Sequence, residues 1–203
     1  MRQVENFIRW YDEAIPPSLC DQLIETFESS DHKVARNKPA KRNTEVAVIP
    51  SHLTDQLVKI INTHLRSYAK DNDFMALSRY ENFDIQGFAI KKYEPNGDFH
   101  DWHTDSTSPL AFRRFLAIQC YLNTVEEGGH TEFKTPEEIR IQPLKGRLVF
   151  FPTAWTHMHR GVPPISGPKY SMNSYLLFPD EWITEYRTTM DKYRINSSNN
   201  ERI

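Results

Sequence analysis

The chain has 203 residues, enough for one domain of ordinary size with a substantial buried core. Its 25 Lys and Arg residues nearly balance its 27 Asp and Glu residues, which gives no reason to expect a nucleic-acid or anionic-membrane partner. The two cysteines, Cys20 and Cys120, are far apart in the chain and too few for a disulfide scaffold. We therefore expect both thiols to be reduced and buried.

The chain has no segment that suggests a membrane or secretory destination. No apolar run approaches the roughly 20 residues that span a bilayer. The first residues, Met-Arg-Gln-Val-Glu-Asn-Phe, lack the apolar stretch of a signal peptide. We expect a soluble cytoplasmic protein that binds neither a membrane nor nucleic acid.

The predicted elements of the N-terminal part, up to about residue 80, are a strand and two helices. Residues 5–11 have the composition of a short entry strand. A helix is expected to open at Pro16-Pro17-Ser18 and to extend to about Ser29, because proline favours a first helical turn and apolar residues recur at helical spacing. A second helix is expected from about Leu53 to Lys70, with one apolar face.

Residues 31–44, between these two helices, are polar and basic. Their composition favours a solvated loop on the surface of the protein. The functional alternative is a flap that covers an active site.

The composition changes at about residue 82, where short apolar runs separated by turn residues begin. The runs are residues 83–93, 115–123, 131–133, 139–141, 147–152 and 170–178. Many short strands at this spacing predict a sandwich or barrel such as a jelly roll. Asp180 is placed to cap a last helix that extends to about Tyr193, before a polar tail.

We predict an α+β fold in a single domain, residues 1–203. A helical N-terminal support over about 1–80 packs against one sheet. A double-stranded β-helix, or jelly roll, forms the core over about 82–179. The C-terminal helix and tail occupy 180–203.

A histidine and an aspartate two positions apart, His103 and Asp105, suggest a metal site. On a β-strand these residues face the same side, so they can offer one nitrogen and one oxygen to the same ion. A second histidine would complete the two-His, one-carboxylate set that suits non-haem iron(II) and leaves open positions. His157 and His159 follow the apolar strand at 148–151. Strand parity does not separate these two, since they are also two positions apart.

Two further histidines are expected to lie outside such a site. His100 is three positions before His103, so on a strand it faces the other way. His130 follows a Gly-Gly turn and is expected to be an exposed turn residue.

Ordered motifs surround these residues. They are Tyr93, Gly97 and Phe99 before the His-x-Asp pair, then Tyr121-Leu122-Asn123, Gly128-Gly129-His130-Thr131-Glu132-Phe133 and Lys145-Gly146 with its apolar strand. Over about residues 83–178 this order resembles the prolyl 4-hydroxylase type of iron(II)- and 2-oxoglutarate-dependent oxygenases. That family has Lys or Arg ten residues after its distal histidine. His159 and Lys169 have this spacing, whereas His157 would need the basic residue at Gly167.

The resemblance implies a site and a reaction. It implies iron bound by His103, Asp105 and His159, and the far carboxylate of 2-oxoglutarate bound by Lys169, with Tyr121 and Tyr93 nearby. The implied reaction converts 2-oxoglutarate and O2 to succinate and CO2 while an unactivated C–H bond is hydroxylated. Ascorbate is an optional further cofactor. The metal centre then carries the chemistry without a separate protein base.

The substrate is expected at positions where the chain partly departs from the family. Arg114 stands seven residues before Tyr121, where an arginine often contacts substrate. Tyr175 occupies a position that is usually Trp in prolyl hydroxylases of this group, and His130 replaces a usual Glu.

Three hypotheses for function follow from these residues. The first is hydroxylation of proline in a flexible segment of a protein or peptide. The second is the same chemistry on a free amino acid, another side chain or a small metabolite, which the departure at Tyr175 motivates. The third is a non-catalytic jelly-roll binding module or structural metal protein, which would release no succinate.

Overall fold

The computed structural model describes residues 7–46, 49–72, 84–108 and 111–180, together with residues 184 and 188. Two helices lie in the N-terminal part: α1, Pro17–Ser29, and α2, Ser51–Asp71. The first strands are β1 Arg9–Tyr11, β2 Val34–Lys38, β3 Lys41–Val46, β4 Asp84–Ile85, β5 Ala89–Tyr93 and β6 His100–His103. The later strands are β7 Arg114–Tyr121, β8 Thr131–Phe133, β9 Arg140–Ile141, β10 Leu148–Pro152, β11 His159–Gly161 and β12 Lys169–Leu177. A short 3-10 helix, Trp155–His157, joins β10 to β11.

The strands form one curled antiparallel sheet with the order β1-β10-β7-β12-β5-β3-β6-β11-β8-β9. β2 extends it beside β3, and β4 pairs with β12. Within this order, β3 and β6 are joined by a single register pair, Lys41 with His100. The α+β jelly-roll prediction is confirmed, and the helices pack on one side of the sheet.

Alternate residues of the strands face opposite sides of the sheet, so the interior has two hydrophobic cores. Along β7, Leu116, Ile118 and Cys120 face the two helices and join the larger core. Ala117 and Tyr121 face the opposite side and join a smaller core inside the curl of the sheet. The same alternation in β5 and β12 decides which side chains reach the interior of the curl.

The two predicted helices form close to their expected bounds. α1 begins at Pro17, and Leu19, Leu23 and Phe27 are buried along one face. α2 begins two residues earlier than expected and ends one later. Among the described helices, none is long and apolar enough to cross a membrane.

The loop predicted for residues 31–44 is wrong, because most of it is the β2–β3 hairpin. β2 is exposed along its whole length, and polar cross-strand contacts such as Arg36 Nε to Glu45 Oε2 at 3.3 Å join the strands. A two-sided polar ribbon has no hydrophobic alternation, so its composition resembles that of a loop. β3 also pairs with β5, which ties the hairpin to the main sheet.

The predicted last helix lies largely outside the described residues. Asp180, Thr184 and Thr188 are helical. The hydroxyl of Thr184 donates to the carbonyl of Asp180 at 3.2 Å. The predicted entry strand is shorter than expected, since β1 begins at Arg9.

Candidate metal and cosubstrate site

Three side chains converge inside the curl of the sheet: His103, Asp105 and His159. Their potential ligand atoms all lie within 4.8 Å of one another. His103 Nε2 is 3.5 Å from Asp105 Oδ1, and His159 Nε2 is 3.6 Å from Asp105 Oδ2. Within the described ranges, no other group of three or more His, Cys, Asp or Glu residues meets this geometry.

Backbone pairing brings the two histidines together. His103 lies directly opposite His159 in the antiparallel pair of β6 and β11. The expectation that His103 and Asp105 share a strand is wrong, because β6 ends at His103. Asp105 follows in a turn, where its backbone N–H donates to the carbonyl of Thr153 at 3.2 Å. The loop after β10 therefore positions the carboxylate.

Each histidine is held in the tautomer that a metal needs. His103 Nδ1 donates to the carbonyl of Asp101 at 2.7 Å, and His159 Nδ1 donates to the carbonyl of His157 at 3.0 Å. A proton fixed on Nδ1 leaves the Nε2 lone pair available for an ion. The imidazole of His157 instead lies 2.9 Å from the hydroxyl of Thr156. Of the two candidates, His159 is therefore the one in the cluster.

The electrostatics also favour deprotonated ligands. Burial by itself raises the pKa of Asp105, but the adjacent imidazoles of His103 and His159 outweigh it and hold the pKa below its usual range. Burial lowers the pKa of His159 to about 4, against the opposing effect of Asp105. At neutral pH Asp105 is therefore a carboxylate and His159 a neutral imidazole. These are the forms that bind a divalent metal, and the set fits iron(II).

Tyr175 and Arg114 meet at the outer side of this carboxylate. The hydroxyl of Tyr175 donates to Asp105 Oδ1 at 3.1 Å, and the Arg114 guanidinium lies 3.8 Å from the centre of the Tyr175 ring. Arg114 also donates from Nε to Gln86 Oε1 at 3.1 Å and from a terminal nitrogen to the Asp105 carbonyl at 3.3 Å. Both residues predicted to contact substrate therefore lie beside the His103, Asp105 and His159 cluster.

Lys169 begins β12 and points into the same cleft. Its side chain is only 3 % exposed, and its ammonium donates to the carbonyl of Gly129 at 2.8 Å. It also lies 4.4 Å from the centre of the Tyr93 ring, opposite it in the β5–β12 register. Burial, with some repulsion from Lys91, lowers the pKa of Lys169 to about 7.

Tyr121 lies in the wall of the smaller core next to this cleft. Its hydroxyl is 2.7 Å from the hydroxyl of Thr131, which itself lines the cleft. Burial raises the pKa of Tyr121 to about 12, so the phenol keeps its proton. The pair can supply neutral hydroxyl donors to an anion bound by Lys169.

Two connected cavities contain these groups. The inner cleft is narrow, with a volume of about 30 Å³, and extends from Lys169 to the metal ligands. The outer pocket has a volume of about 330 Å³ and extends from the metal ligands past Arg114. The residues that line both are Lys91, His100, His103, Asp105, Asn173 and Tyr175.

Sequence reasoning missed Lys91 and misplaced two histidines. Lys91 is buried and lines both cavities, and strand parity with Tyr93 was the signal that could have found it. His100 does not face away, since its ring stacks on that of His103 at 3.7 Å. The twist of the short β6 strand and its bulged pairing with β11 override simple parity. His130 is half-buried rather than exposed, because it bonds Glu132 Oε1 at 2.9 Å.

Residues 88–177 match the model of the 2OG-Fe(II) oxygenase superfamily. This segment contains all three clustered residues, Lys169, and the two tyrosines of the predicted cosubstrate site, Tyr93 and Tyr121. No protein of curated function matches the sequence.

Several solved structures share the fold. A viral collagen prolyl hydroxylase from Paramecium Bursaria Chlorella virus-1, solved as its 2OG complex, has 21 % identity and a TM-score of 0.65, covering 84 % of this chain and 96 % of that one. A Pseudomonas putida prolyl-4-hydroxylase has 15 % identity and a TM-score of 0.68, covering 86 % and 94 %. A Trichoplax adhaerens prolyl hydroxylase, in complex with a hypoxia inducible factor peptide fragment, has 14 % identity and a TM-score of 0.66, covering 85 % and 84 %. The family match agrees with the oxygenase motifs over residues 88–177, and at these identities the neighbours show a shared fold.

Proposed function

Because residues 88–177 match the 2OG-Fe(II) oxygenase superfamily, we propose that the protein is an Fe(II)- and 2-oxoglutarate-dependent dioxygenase that hydroxylates proline in a peptide or protein segment. The reaction consumes the substrate C–H, O2 and 2-oxoglutarate and yields the alcohol, succinate and CO2. The proline assignment draws on the structural neighbours, which are named prolyl hydroxylases, one of them bound to a peptide.

A buried ammonium without an anionic partner carries the proposal. Lys169 bonds a backbone carbonyl and lies over an aromatic ring, and no described carboxylate forms an ion pair with it. Burying a cation costs free energy that only a paired anion offsets well. A dicarboxylate could bind Lys169 at one end and reach the clustered ligands at the other, because both line one cleft.

Each group of the site has a defined task in this proposal. When bound by His103, Asp105 and His159, iron supplies the activation of O2 and the oxidative decarboxylation of 2-oxoglutarate. The Tyr175 hydroxyl orients the Asp105 carboxylate. Phe151, whose ring centre is 4.7 Å from that of His159, shields the inner side of the site from water.

The narrow inner cleft adds a structural requirement. A five-carbon diacid needs more room than about 30 Å³, so its binding has to move side chains. Lys169 is suited to such movement, because a lysine ammonium sits on a flexible four-carbon stem. Its bond to the Gly129 carbonyl would then be exchanged for one to the carboxylate.

Two measurements test the proposal in sequence. Calorimetry of the protein loaded with Zn(II), a redox-inert stand-in for iron, should show 2-oxoglutarate binding that K169M abolishes and that the surface variant K59M leaves unchanged. Incubation with Fe(II), ascorbate, 2-oxoglutarate and a library of proline-containing peptides should then add one oxygen atom to proline. Failure of wild-type protein to bind 2-oxoglutarate would reject the oxygenase. Binding without hydroxylation of any peptide would reject the proline substrate alone.

One observation favours a second candidate, a free amino acid or small metabolite as substrate. Tyr175 replaces the Trp expected for a prolyl hydroxylase, and its hydroxyl is committed to Asp105 while Arg114 covers its ring. The pocket wall at this point is therefore polar and charged rather than a bare aromatic face. Untargeted mass spectrometry of metabolite extracts incubated with the enzyme discriminates the two, since only this candidate predicts an oxidised small molecule.

A further inference from the structure

We infer that the substrate carries a carboxylate close to the C–H bond that is hydroxylated, and that Lys91 binds this carboxylate. The inference rests on the proposed function and defines its substrate class. It concerns the outer pocket, whereas Lys169 serves the inner cleft.

Lys91 is a buried lysine whose ammonium has no hydrogen-bond or ion-pair partner among the described residues. It lies on β5, two residues before Tyr93, and is 7 % exposed. Across the sheet its register partners are Ser171 on β12 and Glu45 on β3. No hydrogen bond or ion pair joins its ammonium to any residue that the structure describes. Buried lysines are rare unless they are paired, so a ligand is the expected partner.

Most of the charged groups around Lys91 belong to the outer pocket, although Lys91 also repels Lys169 in the inner cleft. The groups with the largest charge effects on it are Lys41, Glu45, Asp105 and Arg114. All four line the outer pocket, and of them only Asp105 also lines the inner cleft. Lys91 itself lines both cavities, at the boundary where a substrate bond would face the metal ligands.

The outer pocket has more positive charge than its own acids can pair. Glu45 Oε2 is already shared between Arg36 at 3.3 Å and Lys41 at 3.4 Å. Asp105 belongs to the metal cluster. Among the described residues, Arg114 donates to two neutral oxygens, those of the Gln86 side chain and the Asp105 backbone.

Among the described residues, Lys91 and Arg114 therefore form no ion pair with a carboxylate side chain, although Lys91 interacts electrostatically with Glu45, its register partner, whose carboxylate contacts Arg36 and Lys41. A pocket of about 330 Å³ that contains Lys91 and Arg114 is large enough for an amino-acid-sized group and complements an anion. A carboxylate is the group that both can bind with charge-assisted hydrogen bonds.

Two sources of the carboxylate would satisfy this chemistry. One is the α-carboxylate of a free amino acid or of a C-terminal residue. The other is the side chain of an acidic residue beside the target within a peptide. Matched pairs of probes that differ only by carboxylate against amide separate them.

The test is calorimetry on the full-length protein loaded with Zn(II) and 2-oxoglutarate. The first probe pair is N-acetyl-L-proline and N-acetyl-L-prolinamide, and the second is a blocked Asp-Pro peptide and its Asn-Pro counterpart. We expect wild-type protein to prefer the carboxylate member of one pair by at least tenfold. K91M should reduce that preference to within twofold, while K91R and the surface control K59M retain it. A wild-type protein without a carboxylate preference in either pair, or a K91M protein that keeps it, overturns the inference.

A second titration separates this inference from the proposed function. K91M should bind 2-oxoglutarate within about twofold of wild type, whereas K169M should lose at least tenfold in affinity. A tenfold loss in K91M would assign Lys91 to the cosubstrate and overturn the inference. Failure of wild-type protein to bind 2-oxoglutarate would instead reject the proposed function. Circular dichroism of K91M checks that the variant folds. K91R tests whether a positive charge at this position is enough to keep the carboxylate preference.

Discussion

His103 lies directly opposite His159 across the antiparallel pair of β6 and β11. Opposed residues in such a pair have Cβ atoms about 5 Å apart, so the sheet itself sets the spacing of the two imidazoles. Each ring is then fixed by a backbone carbonyl two residues earlier in its own chain segment. The metal cluster is therefore built mainly from backbone geometry, with Asp105 added from a turn.

Replacing His159 and His157 one at a time should show which of the two is the metal ligand. H159A removes a clustered nitrogen, and we expect it to weaken Zn(II) or Fe(II) binding at least 100-fold. H157A keeps the carbonyl that orients His159, so we expect a change of no more than a few fold. Competition with a chromogenic chelator measures both affinities. If H157A abolishes binding while H159A does not, the assignment of the distal ligand is wrong.

Removing the Tyr175 hydroxyl should weaken the metal site without dismantling it. Y175F loses the hydrogen bond to Asp105 Oδ1, and outer contacts of this kind typically contribute about 10- to 100-fold to metal affinity. We expect a loss of roughly tenfold in Zn(II) affinity. The matched control is Y170F, whose hydroxyl bonds Glu28 on the helix side of the sheet. An unchanged affinity in Y175F would show that Asp105 is oriented by its backbone alone.

Local patterns in the sequence predict much of the fold. The spacing of Leu19, Leu23 and Phe27 predicts α1, because residues four positions apart lie on the same face of a helix and can be buried together. The β2–β3 hairpin could not be predicted in this way. Its strands are stabilised by pairing with β5 and β6, which are distant in sequence, and both of its faces are polar.

In the candidate site too, motif spacing in the sequence predicts some residues, whereas others depend on strands that are distant in sequence. The spacing of His159 and Lys169 indicates where a metal and a dicarboxylate would meet, and the structure brings both residues to one cleft. Lys91 belongs to no motif of this kind: only its strand parity with Tyr93 points to the interior, and a lysine in a strand is ordinarily on the surface. Its burial depends on β3 and β12, which cover it from two sides.

Truncating a core residue of α1 should destabilise the whole fold. Leu23 is fully buried between the helices and the sheet, and L23A removes its contacts and leaves a cavity. We expect a loss of about 2–5 kcal/mol in the free energy of unfolding. The matched control is L144A, at a leucine that is 38 % exposed, for which a change within about 0.5 kcal/mol is expected. Urea unfolding followed by circular dichroism measures both, and equal losses would contradict the packing described for α1.

Binding of 2-oxoglutarate should depend on pH through Lys169. In the free protein burial lowers the pKa of Lys169 to about 7, with a smaller effect from Lys91, so the ammonium form is lost as the pH rises above that value. A carboxylate binds the ammonium form, so binding above pH 7 requires proton uptake, and Kd should rise by up to about tenfold per pH unit. Below pH 7 the residue is already charged, and Kd should level off. K169R keeps its charge throughout, so its Kd should stay nearly flat from about pH 7 to 9. Calorimetry of the Zn(II)-loaded protein in two buffers with different ionisation heats measures both Kd and the protons taken up. A K169R variant that follows the wild-type pH profile would show that another group controls the binding.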